Sequence, residues 1–182
     1  GPLVANTHSE SNGSGEAMTL AYHEAHRILK RHVHAGPEDV ILTQGSGVTG
    51  VVNKLQRMLG LKVPDRLLPY CRVPEAERPV VFLTHMEHHS NQTSWLETLC
   101  DVEILEPDAQ GLVDPGALEE ALQRHRGRPR KIGAFTACSN VTGIVTPYRE
   151  LARAMHRHGG VCFVDFAASA PYVPIDMHPE GD

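Results

Sequence analysis

The chain is 182 residues long, room for one domain of ordinary size, and a hydrophobic content of 41% supplies a single substantial core. Its formal charge of -5 comes without any run of Lys or Arg long enough to track a phosphodiester backbone, so nucleic acid is not an expected partner. No apolar stretch approaches the ~18 residues of a spanning helix, and Gly1 to Gly15 is polar rather than a signal sequence, so the expected setting is the cytoplasm, away from membrane.

Met18 to His34 places Leu20, Ala21, Ala25, Ile28, Leu29 and Val33 at nearly helical spacing, which predicts an amphipathic helix stopped by Gly36-Pro37. Asp39 to Thr43 then reads as a short buried strand. It runs into Gly45-Ser46-Gly47-Val48-Thr49-Gly50, a glycine-rich turn that opens a second helix carrying Val51, Val52, Leu55, Met58 and Leu59. Lys62 to Pro79, with Pro64, Pro69 and Pro74 inside it, is expected to be a surface excursion. Further strands are predicted at Pro79 to Thr84, Val102 to Leu105, Lys131 to Ala137 and Val161 to Asp165. Helices are predicted at Asp114 to His125, with Asp114 as N-cap and Pro115 in the first turn, and at Tyr148 to His158. Strands apolar on both faces that alternate with helices predict an α/β fold: a mostly parallel sheet covered by helices on both sides, a three-layer αβα sandwich. Cys71, Cys100, Cys138 and Cys162 form no C-x-x-C pair, and Cys138 and Cys162 fall in strand-like segments where a reduced thiol packs as a small hydrophobe. Gly1-Pro2 has the look of a cleavage scar, and Glu180-Gly181-Asp182 carries no closing pattern, so the chain is expected to be a piece of a longer protein.

In open parallel sheets, ligands collect beyond the carboxyl ends of the strands, and the marked motifs are predicted to fall there. Gly45 to Gly50 offers backbone amides, a helix amino end and the hydroxyls of Ser46 and Thr49, a cradle suited to a phosphate dianion. It matches neither the mononucleotide nor the dinucleotide fingerprint, and a plain strand-to-helix turn is the competing reading. His85, Glu87, His88 and His89 admit a metal, a polar loop with one packed histidine, or an imidazole lying flat on an aromatic ring. Asn140 is placed to donate to a phenolate oxygen, though Asn is also common in turns. Asp165 ends an apolar strand, where an unpaired carboxylate costs several kcal/mol, so it needs a partner. A protonated ring nitrogen serves, and that pairing is what makes pyridoxal phosphate an electron sink; a capping or turn Asp is the alternative.

Together these motifs resemble the class V branch of fold-type I pyridoxal phosphate enzymes, and most closely the group II cysteine desulfurases. The resemblance runs through Asn6-Thr7-His8-Ser9-Glu10, Leu42 to Thr49, Met86-Glu87-His88-His89-Ser90-Asn91 with Trp95, Ser139-Asn140-Val141-Thr142-Gly143, and Val164-Asp165-Phe166-Ala167-Ala168 leading to Pro174-Ile175-Asp176. It implies pyridoxal 5'-phosphate as cofactor, with phosphate held by Gly47, Val48 and Thr49. It implies His88 stacked on the ring and assisting proton transfer, Asn140 on the phenolic oxygen and Asp165 on the ring nitrogen. It also implies an amino-acid substrate, L-cysteine converted to L-alanine with sulfur left on the enzyme, and a homodimer. His8 falls in a stretch that matches a family loop near the site.

Two departures qualify the reaction. Ala168 stands where family desulfurases usually carry Gln, which leaves an aminotransferase, lyase or epimerase sharing the same cradle as the alternative. The lysines are Lys30, Lys54, Lys62 and Lys131, all before Asp165, whereas the family's Schiff-base lysine lies on a following strand. Residues 1–182 are therefore expected to be most of one pyridoxal-phosphate-binding large domain, lacking the Schiff-base segment and the small C-terminal domain and inactive alone. A noncatalytic or metal-binding module is the reading from a different class.

Overall fold

A computed structural model of the chain describes residues 4–9 and 11–179; Glu10 of the amino-terminal motif, Gly1-Pro2 and the terminal Glu180-Gly181-Asp182 lie outside the described residues. The chain forms two compact units, Thr43–Pro171 on one side of the division and Gly1–Leu42 with Tyr172–Asp182 on the other.

In the larger unit, four strands, β1 (Val80–Thr84), β2 (Asp101–Leu105), β3 (Lys131–Thr136) and β4 (Val161–Asp165), form one sheet in the order β2-β1-β3-β4. All pairings are parallel, with Phe82 opposite Glu103 and Gly133, and Thr136 opposite Asp165. The α/β expectation holds, and burial explains why. Every residue of β1 is buried, as is β3 after Lys131. Alternate residues go to opposite faces: Val80, Phe82 and Phe135 join Leu118, Leu122, Leu151 and Met155, while Val81, Leu83, Ile132 and Ala134 join Trp95, with Val52 packed against them. These faces are covered by α4 (Pro115–Arg124) and α5 (Tyr148–Arg157) on one side, and by α2 (Gly47–Met58) and α3 (His89–Leu96) on the other. Asp114 caps α4 as predicted, its Oδ1 accepting from Gly116 N at 2.8 Å.

Three elements differ from expectation. The strand predicted over Asp39 to Thr43 does not form, and Val40 is 78% exposed. Asp39 supplies the reason: its Oδ2 accepts from Gly36 N at 2.6 Å and pairs with His178 Nε2 at 2.7 Å, so the side chain closes a local turn that competes with extended pairing. The glycine-rich turn thus follows an unpaired segment, and the sheet has one strand fewer than predicted. Second, α3 was not foreseen. Third, the Lys62 to Pro79 excursion contains two 3₁₀ turns, Asp65–Tyr70 and Glu75–Glu77.

In the smaller unit, α1 (Gly13–His32) is capped by Asn12, whose side chain accepts from Gly15 N, and Lys30, Arg31 and His32 sit favourably in its last turn. Its predicted apolar stripe is largely uncovered, with Leu20, Ile28 and Leu29 exposed. Beyond it, Met177 N donates to Val33 O, and His34 Nδ1 lies 3.4 Å from Asp176 Oδ1. Among the described residues no helix is long and apolar enough to cross a membrane.

Gly133 sits in the middle of β3 because nothing larger fits: a Cβ there would lie 2.5 Å from Phe135 Cε2 and 3.0 Å from Met155 Cγ, both on fully buried side chains. Gly133→Ala is expected to lower the unfolding free energy by about 1–3 kcal/mol, the usual cost of overpacking, read from the urea midpoint.

Candidate functional site

The carboxyl ends of β1, β3 and β4 deliver three of the predicted site residues in spatial order. His88 follows β1, Asn140 follows β3, and Asp165 ends β4. His88 and Asn140 share one hollow of about 420 Å³, whose lining also includes His85, Glu87, Ser139 and Thr142. That volume lies in the roughly 300–1,000 Å³ range of small-molecule sites. Gly47, Val48, Thr49 and Asp165 do not line it, and neither does any lysine.

His88 is the N-cap of α3. Ser90 N donates to its Nδ1 at 3.2 Å, and Ser90 Oγ stands 2.8 Å from the same atom. A ring nitrogen that accepts carries no proton, so the bond from Ser90 N assigns the proton of a neutral His88 ring to Nε2. The opposite wall is the turn after β3. Ser139 is buried, and its Oγ accepts from Val141 N at 3.3 Å and Thr142 N at 3.2 Å. Gly143 N closes on Ser139 O at 2.9 Å, and Gly143 has φ +72, a conformation that favours glycine. This arrangement leaves Asn140 at an exposed tip, its amide without a hydrogen bond among the described residues.

Asp165 behaves in part as a turn residue, since its Oδ1 accepts from Ala167 N at 2.8 Å. Its other oxygen takes no hydrogen bond among the described residues. At the amino end of α2, Ser46 makes no side-chain cap, and the first turn holds no acid. In contrast to α1 and α4, the leading amides of α2 are therefore open to an external acceptor, and Gly47 at φ +60 lets the chain enter the helix there.

The histidine cluster is not assembled as metal ligands. His85 Nε2 is engaged with Gly111 O at 3.0 Å, and among the described residues no group of three His, Cys, Asp or Glu side chains is arranged to hold an ion. His8 stacks edge-on against Tyr22, ring centres 5.4 Å apart.

Sequence reasoning weighed Glu87 only as a possible ligand, and the structure gives it another place. Its Oε1 accepts from Thr84 Oγ1 at 2.7 Å, Thr136 N at 2.9 Å and Thr84 N at 3.3 Å, and its Oε2 accepts from Asn91 Nδ2 at 2.9 Å. Burial pushes the Glu87 carboxyl above its ordinary range, although the hydrogen bonds from Thr84, Thr136 and Asn91 oppose that rise. Nearby Cys162 is pushed up to about 12, by burial first and then by the negative charge of Glu87. The spacing Glu87…Asn91, four residues apart across a helix start, was the available signal.

Known proteins share this open-sheet α/β fold. The family description Aminotransferase class-V matches residues 2–181, and the chain belongs to that family. It is 29% identical over 182 residues to a probable cysteine desulfurase of Halalkalibacterium halodurans, covering 97% of this chain and 41% of that one. With a cysteine desulfurase of Haloferax volcanii it shares 28% over 179 residues, 95% and 38% of the two chains. Among solved structures, the apo structure of cysteine desulfurase from Thermococcus onnurineus superposes with a TM-score of 0.69 at 22% identity, over 96% of this chain and 40% of that one. Cysteine desulfurase CsdA from Escherichia coli gives 0.66 at 24%, over 93% and 40%. At these identities the structures establish the shared fold. The Halalkalibacterium protein is matched over 41% of its own length, so the chain spans well under half of such a relative.

Two expectations follow. The folded chain keeps the Glu87 proton to higher pH than the unfolded chain, so the stability this group lends is full below the ordinary value of 4.5 and is lost as pH rises through the folded value. Urea unfolding of wild type and Glu87→Gln from pH 4 to 8 is expected to show wild type falling relative to the variant; a flat difference contradicts the raised value. With its thiol near 12, Cys162 is only about one part in ten thousand thiolate at pH 8, so a thiol reagent is expected to label exposed Cys71 rapidly and Cys162 only upon unfolding.

Proposed function

We propose that this chain is part of the large, cofactor-binding domain of a pyridoxal-phosphate enzyme that acts on L-cysteine, releasing L-alanine and retaining sulfur. The observation that carries this reading is the hollow shared by the His88 imidazole and the Asn140 amide, with Asp165 at the end of the next strand. The donor set fits the cofactor in kind: an uncapped helix end without acids for a phosphate, an unbonded amide for a phenolic oxygen, a half-free carboxylate for a ring nitrogen. When bound, pyridoxal phosphate supplies an electron sink for charge developing next to the amino acid's α-carbon.

The chain's own residues then have separable tasks. The amides of Gly47, Val48 and Thr49 would bind the phosphate. Asp165 would hold a proton on the ring nitrogen by charge pairing, and Asn140 would orient the phenolic oxygen. His88, with Nδ1 committed to the α3 cap, would lie against the ring and have Nε2 available to move a proton. The family name and the relatives' names support the same reading. Cytoplasmic location, a homodimer and an amino-acid substrate complete the proposal. An aminotransferase, lyase or epimerase is the second reading, favoured by Ala168 at the position where the family's desulfurases carry Gln.

The test is the full-length protein encoded by the gene, given L-cysteine and pyridoxal phosphate. With an excess of a thiol reductant to release the enzyme-held sulfur as sulfide, sulfide and alanine are expected in equal amounts, with His88→Ala lowering the rate by about 10²–10⁴-fold, the range for a lost general acid–base group. Transamination without sulfide would replace the desulfurase by the second reading.

A further inference from the structure

A buried polar chain connects the two walls of the hollow to the helices behind the sheet. Thr84 ends β1, and Thr136 ends the neighbouring β3. Both backbone amides, with the Thr84 hydroxyl, converge on Glu87 Oε1. Thr136 passes the connection forward, its Oγ1 donating to Cys138 O at 2.8 Å immediately before Ser139 and Asn140. On the other side, Asn91 Nδ2 donates to Glu87 Oε2 and to Ala134 O at 3.2 Å, while Asn91 Oδ1 accepts from Trp95 Nε1 at 3.0 Å. Asn91 N donates to His88 O at 2.9 Å, Ser94 Oγ donates to Asn91 O at 3.0 Å, and Gln56 Nε2 of α2 donates to Ser94 Oγ at 3.0 Å. Asn91, Ser94, Trp95 and Gln56 are all buried.

Every one of these bonds that holds the loop after β1 to β3 passes through Glu87 or through Asn91, which Glu87 orients. Its peptide neighbour is His88. We propose that Glu87 is a positioning residue of the site: its carboxylate fixes the His88 imidazole in register with the Asn140 turn, by tying the end of β1, the end of β3 and the start of α3 to one point. Hydrophobic packing alone does not do this, because a strand end can slide by fractions of an ångström while its core residues remain buried, whereas a carboxylate sharing two backbone amides fixes both ends at once. The inference rests on the reading of the hollow as a pyridoxal phosphate site, and the experiment separates the two.

The 182-residue chain carries a single tryptophan, Trp95, so its emission reports on this network and is available for energy transfer to bound pyridoxal phosphate. Two measurements are made on wild type, Glu87→Ala, His88→Ala and the double variant, each checked for native circular dichroism. Long-range ¹H–¹⁵N spectra of the imidazoles, with the His88 signals assigned by their loss in His88→Ala, are expected to show one tautomer, protonated at Nε2, in wild type and an exchanging mixture in Glu87→Ala. Titration with pyridoxal 5'-phosphate is expected to weaken about tenfold in either single variant, the affinity value of roughly one good polar contact, with no further loss in the double variant. Unchanged His88 signals in folded Glu87→Ala, or losses that multiply in the double variant, overturn the proposal. If the full-length wild type binds no pyridoxal phosphate while the His88 signals still respond to Glu87→Ala, the positioning role is upheld and the cofactor reading falls. Should Glu87→Ala not fold, the conservative pair decides: Glu87→Gln keeps an acceptor for Thr84 and Thr136, loses only the one for Asn91 Nδ2, and is expected to fall between wild type and the tenfold loss. Glu87→Asp, a methylene too short to span both strand ends, is expected to behave as the alanine variant does; the reverse order refutes the role.

Discussion

The central constraint on this fold is that β1 and β3 run through its interior with apolar neighbours on both faces. Neither strand has a solvated side on which to carry polar chemistry, so polar groups are displaced to the carboxyl edge, where the loops leave the sheet. The four-residue step from Thr84 to His88 and from Thr136 to Asn140 keeps the two loops near the strand ends that launch them. The site is thus a product of how the sheet excludes water.

Among the described residues, Glu87 is the carboxylate drawn back into that dry region. Its burial opposes ionisation, and the donors gathered around it favour ionisation; the net direction is toward the protonated form. A group held in such a balance is costly to remove, because Thr84 N, Thr136 N and Asn91 Nδ2 would all lose an acceptor in a buried place. Trp95 and Gln56 extend the same chain of bonds into the layer formed by α2 and α3. The helical layer behind the sheet is therefore specified by hydrogen bonding as well as by packing.

Much of this was legible in the residues. Val161 to Asp165 was predicted as a strand with the ends it adopts, and the runs at Pro79 to Thr84 and Lys131 to Ala137 differ by a residue, because apolar runs bounded by turn residues are what a doubly covered strand requires. The α3 segment was missed for the opposite reason. His89 to Ser94 contains no apolar residue, and what it buries is Asn91 and Ser94, so hydrophobic periodicity had nothing to detect. Asp39 to Thr43 was misread because an apolar run shows what a segment could bury but not whether a neighbouring strand exists to receive it. In the site, the strand-end positions of His88, Asn140 and Asp165 followed from motif placement. That only the first two share the hollow depends on side-chain directions that no spacing rule encodes.

The described sheet also has a border that matters for handling this 182-residue chain. Among the described residues β4 pairs with β3 alone, and its first residue, Val161, is 51% exposed, so within residues 1–182 an apolar strand presents a row of uncommitted peptide groups along its outer side. No proline or lysine interrupts Val161-Cys162-Phe163-Val164, and such a border is a template for any extended peptide that reaches it. In concentrated solution, self-association of this chain should begin along that border, and additives that compete for main-chain hydrogen bonds should act there before they loosen the interior.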